Sequence, residues 1–281
     1  MMQHYIIERM TPREVNLAID WAKQEEWNPG LNDGYCFYQT DPQGFFAGKL
    51  KGKIIAVGSA VAYDEQFAFF GLYIVDKAYR QQGYGLKLTH HCLNYMGNRN
   101  VGLDGVLAML TKYEHLGFQL AHKNTRYHFT NLFPKDCANL SVIPLQQVSF
   151  ELLTQFDRQH FPSSRNTFLQ CWINQTNAVS LGFLEKEKLR GYGVIRACQS
   201  GYKIGPLFAQ TPEIAEALFL QLIRHANKSI YLDIPENNQF ALELVKKYKG
   251  NQVFSTGRMY LKEEPPITYQ QIYGITSFEL G

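Results

Sequence analysis

Three apolar runs follow one another with little polar sequence between them: "GFFAGKL" (44–50), "IIAVGSAVAY" (54–63) and "FAFFGLYIV" (67–75). Runs of this length, rich in β-branched and aromatic residues, predict strands, the first two joined by a turn at "KGK". Upstream, "YIIERM" (5–10) reads as a strand and "TPREVNLAIDWAKQEE" as a helix. Thr11 suits the N-cap, Pro12 the first helical position, and Glu14 completes a capping box. Val15, Ala18, Ile19 and Ala22 then repeat as one apolar face. Downstream, a helix is predicted over about 83–97, a strand at "VGLDGV" (101–106), a helix ending at "YEHLGF" (113–118) and a strand near "TRYHF" (125–129). Val106, Met109, Leu110 and Tyr113 share one face of that second helix, and Gly117 suits its C-cap.

The pattern recurs about 134 residues later. "GKLKGKIIAVGSAV" (48–61) overlies "GFLEKEKLRGYGVI" (182–195), and "FGLYIV" (70–75) overlies "IGPLFA" (204–209). "KYEHLGF" (112–118) falls on "VKKYKGN" (245–251), and "NTRYHF" on "TGRMYL", each placing an Arg on a last strand. Two copies of one α+β fold are expected, with a boundary in 131–144, where two prolines stand and periodicity stops. The expected domains are 1–133 and 140–281.

Composition narrows the function. With 28 Lys+Arg against 25 Asp+Glu the net charge is +3, and no block of like charge occurs, so nucleic acid is not an expected partner. No apolar run approaches 18 residues and no secretory leader is visible, so neither a membrane span nor export is expected. Cys36, Cys92, Cys137, Cys171 and Cys198 are odd in number, widely spaced and without a C-x-x-C pair. They are expected to be reduced, with no zinc site, which fits a cytoplasmic protein.

The chemistry-bearing stretch is "YRQQGYG" (79–85), where the third strand runs into an Arg and two glycines that open a helix. Backbone N–H groups and the helix dipole point at an anion there, and glycine lets it approach. No G-K-[ST] follows Gly85 and no third glycine completes a dinucleotide motif.

"YIVDKAYRQQGYG" (73–85) resembles the pyrophosphate-binding motif of the GNAT acetyltransferase superfamily, and "KYEHLGF" resembles that superfamily's second signature. "GYKIGPLFA", "LDIPENN", "STGRMY" and "YGITSFELG" are similar to a subfamily with an appended acetyltransferase-like domain, so the likeness spans nearly the whole chain. The resemblance implies tandem GNAT folds, each a mixed, mostly antiparallel twisted sheet flanked by helices. It implies acetyl-CoA as co-substrate and no metal. Its pyrophosphate would lie on Arg80, Gln81, Gln82, Gly83, Tyr84, Gly85 and Leu86, and its pantetheine would lie strand-like along Ile74 and Val75. Tyr113 matches the phenol that protonates the departing thiolate. Two departures stand out. The strand "FAFFGLY" has no carboxylate where many relatives carry the base, and Val106 stands where an Asn often contacts pantetheine. Tyr73, Asp104 and Asp33 are the candidates for a base acting through water.

In the second copy, the positions matching Arg80, Gly83 and Gly85 are Glu213, Glu216 and Leu218, and Lys246 replaces Tyr113. Carboxylates already at the helix's positive end repel a pyrophosphate, so one active site is expected, in the first half. Arg165, Trp172, Arg196, Asp233, Asn237 and Arg258 are candidate lining residues, and arginines there would suit an amino-acid-like amine. The first reading is N-acetyl transfer to a small primary amine. Transfer to a protein N-terminus or lysine, and a non-catalytic acyl-CoA sensor, are the alternatives. A monomer or weak dimer is expected.

Overall fold

The computed structural model describes residues 5–130, 132 and 141–281, so most of the expected boundary stretch lies outside the described residues. The first half runs β1 (Tyr5–Arg9), α1 (Pro12–Gln24), α2 (Asp33–Thr40), β2 (Phe45–Leu50), β3 (Lys53–Ala62), β4 (Phe67–Val75), α3 (Tyr84–Met96), β5 (Asn100–Val106), α4 (Leu110–Glu114) and β6 (Gln119–Phe129). The second runs β7 (Val142–Pro144), α5 (Phe150–Asp157), α6 (Asn166–Trp172), β8 (Ala178–Glu185), β9 (Lys188–Ala197), β10 (Tyr202–Ala209), α7 (Pro212–Ile223), β11 (Ile230–Pro235), α8 (Gln239–Lys247), β12 (Asn251–Tyr260) and β13 (Ile272–Gly274).

Local chemistry explains the first elements. Thr11 accepts from the Glu14 N–H while the Glu14 side chain takes the Thr11 N–H, which is the full capping box, and Val15, Ala18, Ile19 and Ala22 are buried. Lys51 and Gly52 turn β2 into β3 with φ of 50° and 82°. One expectation is corrected: Val106 ends β5, and α4 begins only at Leu110 after a 3-10 turn, because β5 extends to pair with a strand the local pattern does not reveal.

That partner is β12. The strands form one sheet in the order β1-β2-β3-β4-β5-β12-β6-β11-β10-β9-β8-β7, with β13 against β10. Each half thus gives its last long strand to the other: β12 pairs with β5, and β6 with β11, both antiparallel. An Arg on each incoming strand lies directly opposite an Asp on its host, Arg258 against Asp104 and Arg126 against Asp233. Among the described residues only β4–β5 and β10–β11 are parallel pairs. One face of the sheet carries a core shared by both halves, which includes Val15, Phe37, Leu153, Trp172, Tyr192 and Phe278. On the other face α3 and α4 cover the first half, and α7 and α8 the second.

The cysteine expectation is corrected at the same junction. Cys36 on α2 and Cys171 on α6 form a disulfide with Cα atoms 5.5 Å apart. A separation of 135 residues hides the pair from any spacing rule, since only packing of the two helices brings it together. No helix among the described residues is long and apolar enough to cross a membrane.

Candidate active site

β4 and β5 start as neighbours and part. Their ladder runs from Phe67↔Asn100 to Phe70↔Leu103 and stops, while β4 keeps its partner β3 as far as Val75. At the parting point β4 bulges: Gly71 and Ile74 face Ser59 and Val57, so β4 spends one residue more than β3. Leu72 in the bulge has φ +46°, a conformation costly for a branched side chain. A bulge leaves backbone groups out of the ladder and re-aims them. Here it leaves one edge of β4, residues 71–75, unpaired beside the gap.

The gap opens into a cavity of about 390 Å³. Tyr73, Ile74, Val75, Arg80, Gln81, Gly83, Gly85, Leu86, Asp104 and Tyr113 all line it, which brings most of the sequence-predicted residues to one place. Gln82 and Tyr84 belong to the same turn without lining the cavity. The Gln82 amide donates to the Ala78 carbonyl, and the Tyr84 ring packs against Tyr5 and Tyr79. The two glycines serve different needs. Gly83, the N-cap of α3, has φ +83° and no atom within 4 Å of where a Cβ would stand. Gly85 has an ordinary backbone but lies under Tyr73, whose hydroxyl would be 2.2 Å from a Cβ. Arg80 is tied down, its Nε donating to the Val75 carbonyl and its other nitrogen to Glu25. It braces the end of β4 beside the turn.

Tyr113 is buried against Gly105, where a Cβ would lie 2.8 Å from its ring. Burial, with the nearby Tyr73 phenol second, pushes its hydroxyl above the usual tyrosine range, so it stays a proton donor. Burial likewise raises Tyr73, against an opposing hydrogen bond from Thr89. Asp104 lines the cavity but accepts from Arg258 at 3.1 and 2.6 Å and from Asn124 at 2.7 Å.

The remaining predicted residues sit elsewhere. Arg196 forks onto Asp33 at 2.8 and 3.2 Å beneath Trp172, and Asp233 receives Arg126 at 2.6 and 2.8 Å. Arg165 forks onto Asp157, Trp172 donates to the Gly205 carbonyl, and Asn237 is exposed. Arg258 is spent on Asp104. These arginines already hold carboxylates of the protein, so none is presented to a ligand's carboxylate.

Trp27, Phe254, Phe278 and Glu279 also line the cavity, and the sequence reading missed them. Phe254 and Phe278 belong to the second half, and Phe278 packs on the Arg126 guanidinium at 4.8 Å. The one available signal was the aromatic and acidic content of "TSFELG", which no periodicity connects to β4.

The same features recur in the second half with a different outcome. β10 and β11 pair only from Tyr202↔Ile230 to Ile204↔Leu232, and β10 shifts register between Ile204 and Leu207. There β13 enters the gap, pairing Gly274 with Leu207, and the Ile275 N–H donates to the Asp233 carbonyl. Gly205 corresponds to Gly71 by the 134-residue offset. A Cβ at Gly205 would strike the Ile275 and Thr276 carbonyls, and one at Gly71 the Glu279 carbonyl at 1.9 Å. A single segment, 272–281, thus crosses both bulges.

Family models agree with this geometry. Residues 12–118 match an acetyltransferase (GNAT) family model and residues 153–274 an acetyltransferase (GNAT) domain model. The chain belongs to the GNAT superfamily. It is a tandem GNAT protein and an acyltransferase. Holothin acyltransferase of Pseudoalteromonas sp. (strain SANK 73390) is 27% identical over 274 residues, spanning 95% of this chain and 92% of that protein. A solved Pyrococcus horikoshii protein, assigned as an acetyltransferase, superposes with a TM-score of 0.86 at 23% identity, covering 100% of this chain and 97% of that one. A tandem GNAT protein from the clavulanic acid pathway reaches 0.64 at 10% identity over 93% and 100%. GNAT enzymes use acetyl- or acyl-CoA. No group of three or more metal-ligating side chains occurs among the described residues.

Proposed function

We propose that this acyltransferase moves an acetyl group from acetyl-CoA to a small primary amine, in the first half of the chain. The gap between β4 and β5, ending at the glycine turn, carries this reading. The N-terminus of α3 offers N–H groups and a positive dipole end, and the space over Gly83 is free for a pyrophosphate. The unpaired edge at Ile74 and Val75 accepts pantetheine as it would accept another strand. The bulge at Leu72 aims backbone N–H groups at a carbonyl lying in the gap. Tyr113, kept protonated by burial, gives its proton to the departing thiolate. The second half closes the acceptor end with Phe254 and Phe278, which favours a compact amine over a peptide.

Release of free thiol from acetyl-CoA, measured against a panel of primary amines, tests this. Tyr113→Phe is expected to lower kcat by roughly 10²–10⁴-fold, the usual yield of a positioned acid, with acetyl-CoA affinity unchanged. Tight acetyl-CoA binding with no thiol release for any amine would refute the transfer reading.

A further inference from the structure

A protonated amine must lose a proton before it can attack, and β4 offers no carboxylate to take it. Three carboxylates line the cavity among the described residues: Glu25, Asp104 and Glu279. Glu25 holds Arg80 at 2.7 Å, at the cofactor end. Asp104 is spent on Arg258 and Asn124. Glu279 is different. It is 2% exposed, and neither carboxylate oxygen has a hydrogen-bond partner. A buried acid left in that state is costly and invites a functional account. Its backbone is seated on the bulge itself, since the side-chain space that Gly71 vacates is filled by the Glu279 carbonyl. Its backbone therefore sits where β4 leaves β5, beside the thioester position of the proposed function, on which this inference rests.

We propose that Glu279 is the general base of the transfer, supplied by the segment 275–281 in place of a residue on β4. Both oxygens are enclosed, so the role requires the side chain to turn toward the cavity that this residue lines. The amine gives its proton to Glu279, and its lone pair forms the C–N bond to the acetyl carbon. The C–S bond breaks, the thiolate takes the Tyr113 proton, and the second proton on the acylated nitrogen passes to the Tyr113 phenolate as the amide forms. The charged groups facing Glu279 are Lys203 on β10, Asp33 on α2, Arg126 on β6 and Arg196 on β9, with Asp233 and Cys198 behind them. Arg126 and Arg196 are forked onto Asp233 and Asp33, and the Lys203 ammonium has no hydrogen-bond partner, so no fixed ion pair holds Glu279 ionised. Burial pushes its carboxyl above the usual range, against the opposing charges of Lys203, Arg126 and Arg196.

The test compares wild type with Glu279→Gln on the full chain, using acetyl-CoA and whichever of phenethylamine, tryptamine or benzylamine the wild type acetylates. Glu279→Gln is expected to lose roughly 10²–10⁴-fold in kcat at pH 7, with acetyl-CoA affinity within twofold. Its deficit should shrink as pH rises and the amine deprotonates in solution, with the wild-type acidic limb replaced by one that follows the deprotonation of the amine itself. Should Glu279→Gln fold poorly, Glu279→Ala with added formate is the second variant: formate should restore part of the rate. A Glu279→Gln profile parallel to wild type, with kcat within threefold, overturns the proposal, as does an alanine variant that formate leaves inert. Wild type binding acetyl-CoA yet acetylating no amine sinks the transfer reading first, and this proposal with it.

Discussion

The two gaps in the sheet, β4/β5 and β10/β11, begin from one design and end as opposites. Both open after a short parallel ladder, both sit beside a register shift, in β4 and in β10, and both have an Arg–Asp pair where the exchanged strand meets its host. In the first, a glycine turn leads into α3 and the gap stays open as a cavity. In the second, Thr211 and Pro212 start α7 equally well, but Glu213 lies in its first turn and β13 fills the gap. An extended ligand and an extended piece of chain are interchangeable to an unpaired strand edge. What separates a binding site from a core is therefore which of them arrives, and the charge at the nearby helix end.

The most severe way to test the comparison is to break the seams where the halves exchange strands. Asp233→Asn leaves Arg126 buried without its counter-ion and should cost about 3–5 kcal/mol; Asp104→Asn should cost about as much and also damage the acceptor wall. Burial pushes the Asp233 carboxyl up, but the charge and hydrogen bonds of Arg126, with the Lys203 and Arg196 charges, together hold the group below its ordinary range. A depressed pKa gives stability that is present above the unfolded value near 4 and is lost as pH falls through the folded value. Urea melts at pH 7 and pH 3 should show the gap between wild type and Asp233→Asn narrowing on acidification.

Next comes the cradle. Gly83→Val forces a β-branched residue to φ +83°, a strain of about 1–3 kcal/mol, so acetyl-CoA should bind roughly 10–100-fold more weakly by calorimetry. Replacing Glu213 and Glu216 by Gln should leave the stoichiometry at one per chain, because β13 still fills the second gap; a second binding event would show that charge alone had closed it. The smallest effect compares the helix starts. Thr11→Ala loses a full capping box and Thr211→Ala a single bond, each about 1 kcal/mol, with the first expected to cost more in thermal melts.

Much of this was legible where the causes are local. The capping box, the Lys51–Gly52 turn, the glycine turn into α3 and the repeat each depend on residues within a few positions, or on a pattern compared with itself. The arginines were visible as a repeated "R" on the last strands, but not what they face. Arg126 and Arg258 are matched to Asp233 and Asp104, more than 100 residues away, and so lie inside seams. Cys36 and Cys171 were hidden for the same reason. Residues 275–281 carry no period of 2 or 3.6, and their importance comes only from the two bulges they cross.

The strand exchange also constrains how the molecule is put together. β12 stands between β5 and β6, and its Arg258 must meet a residue 154 positions earlier. Strands β1 to β5 and β7 to β11 each pair with the next strand in sequence, so each flank of the sheet closes shorter loops than the middle does. The middle does not. It waits for β6 and β12 to cross between the flanks, a long-range step of the kind that slows folding. The open gap between β4 and β5 lies against that middle, with β12 and the segment beyond it forming one wall. The cavity therefore takes its shape from the pairings that join the most distant parts of the chain.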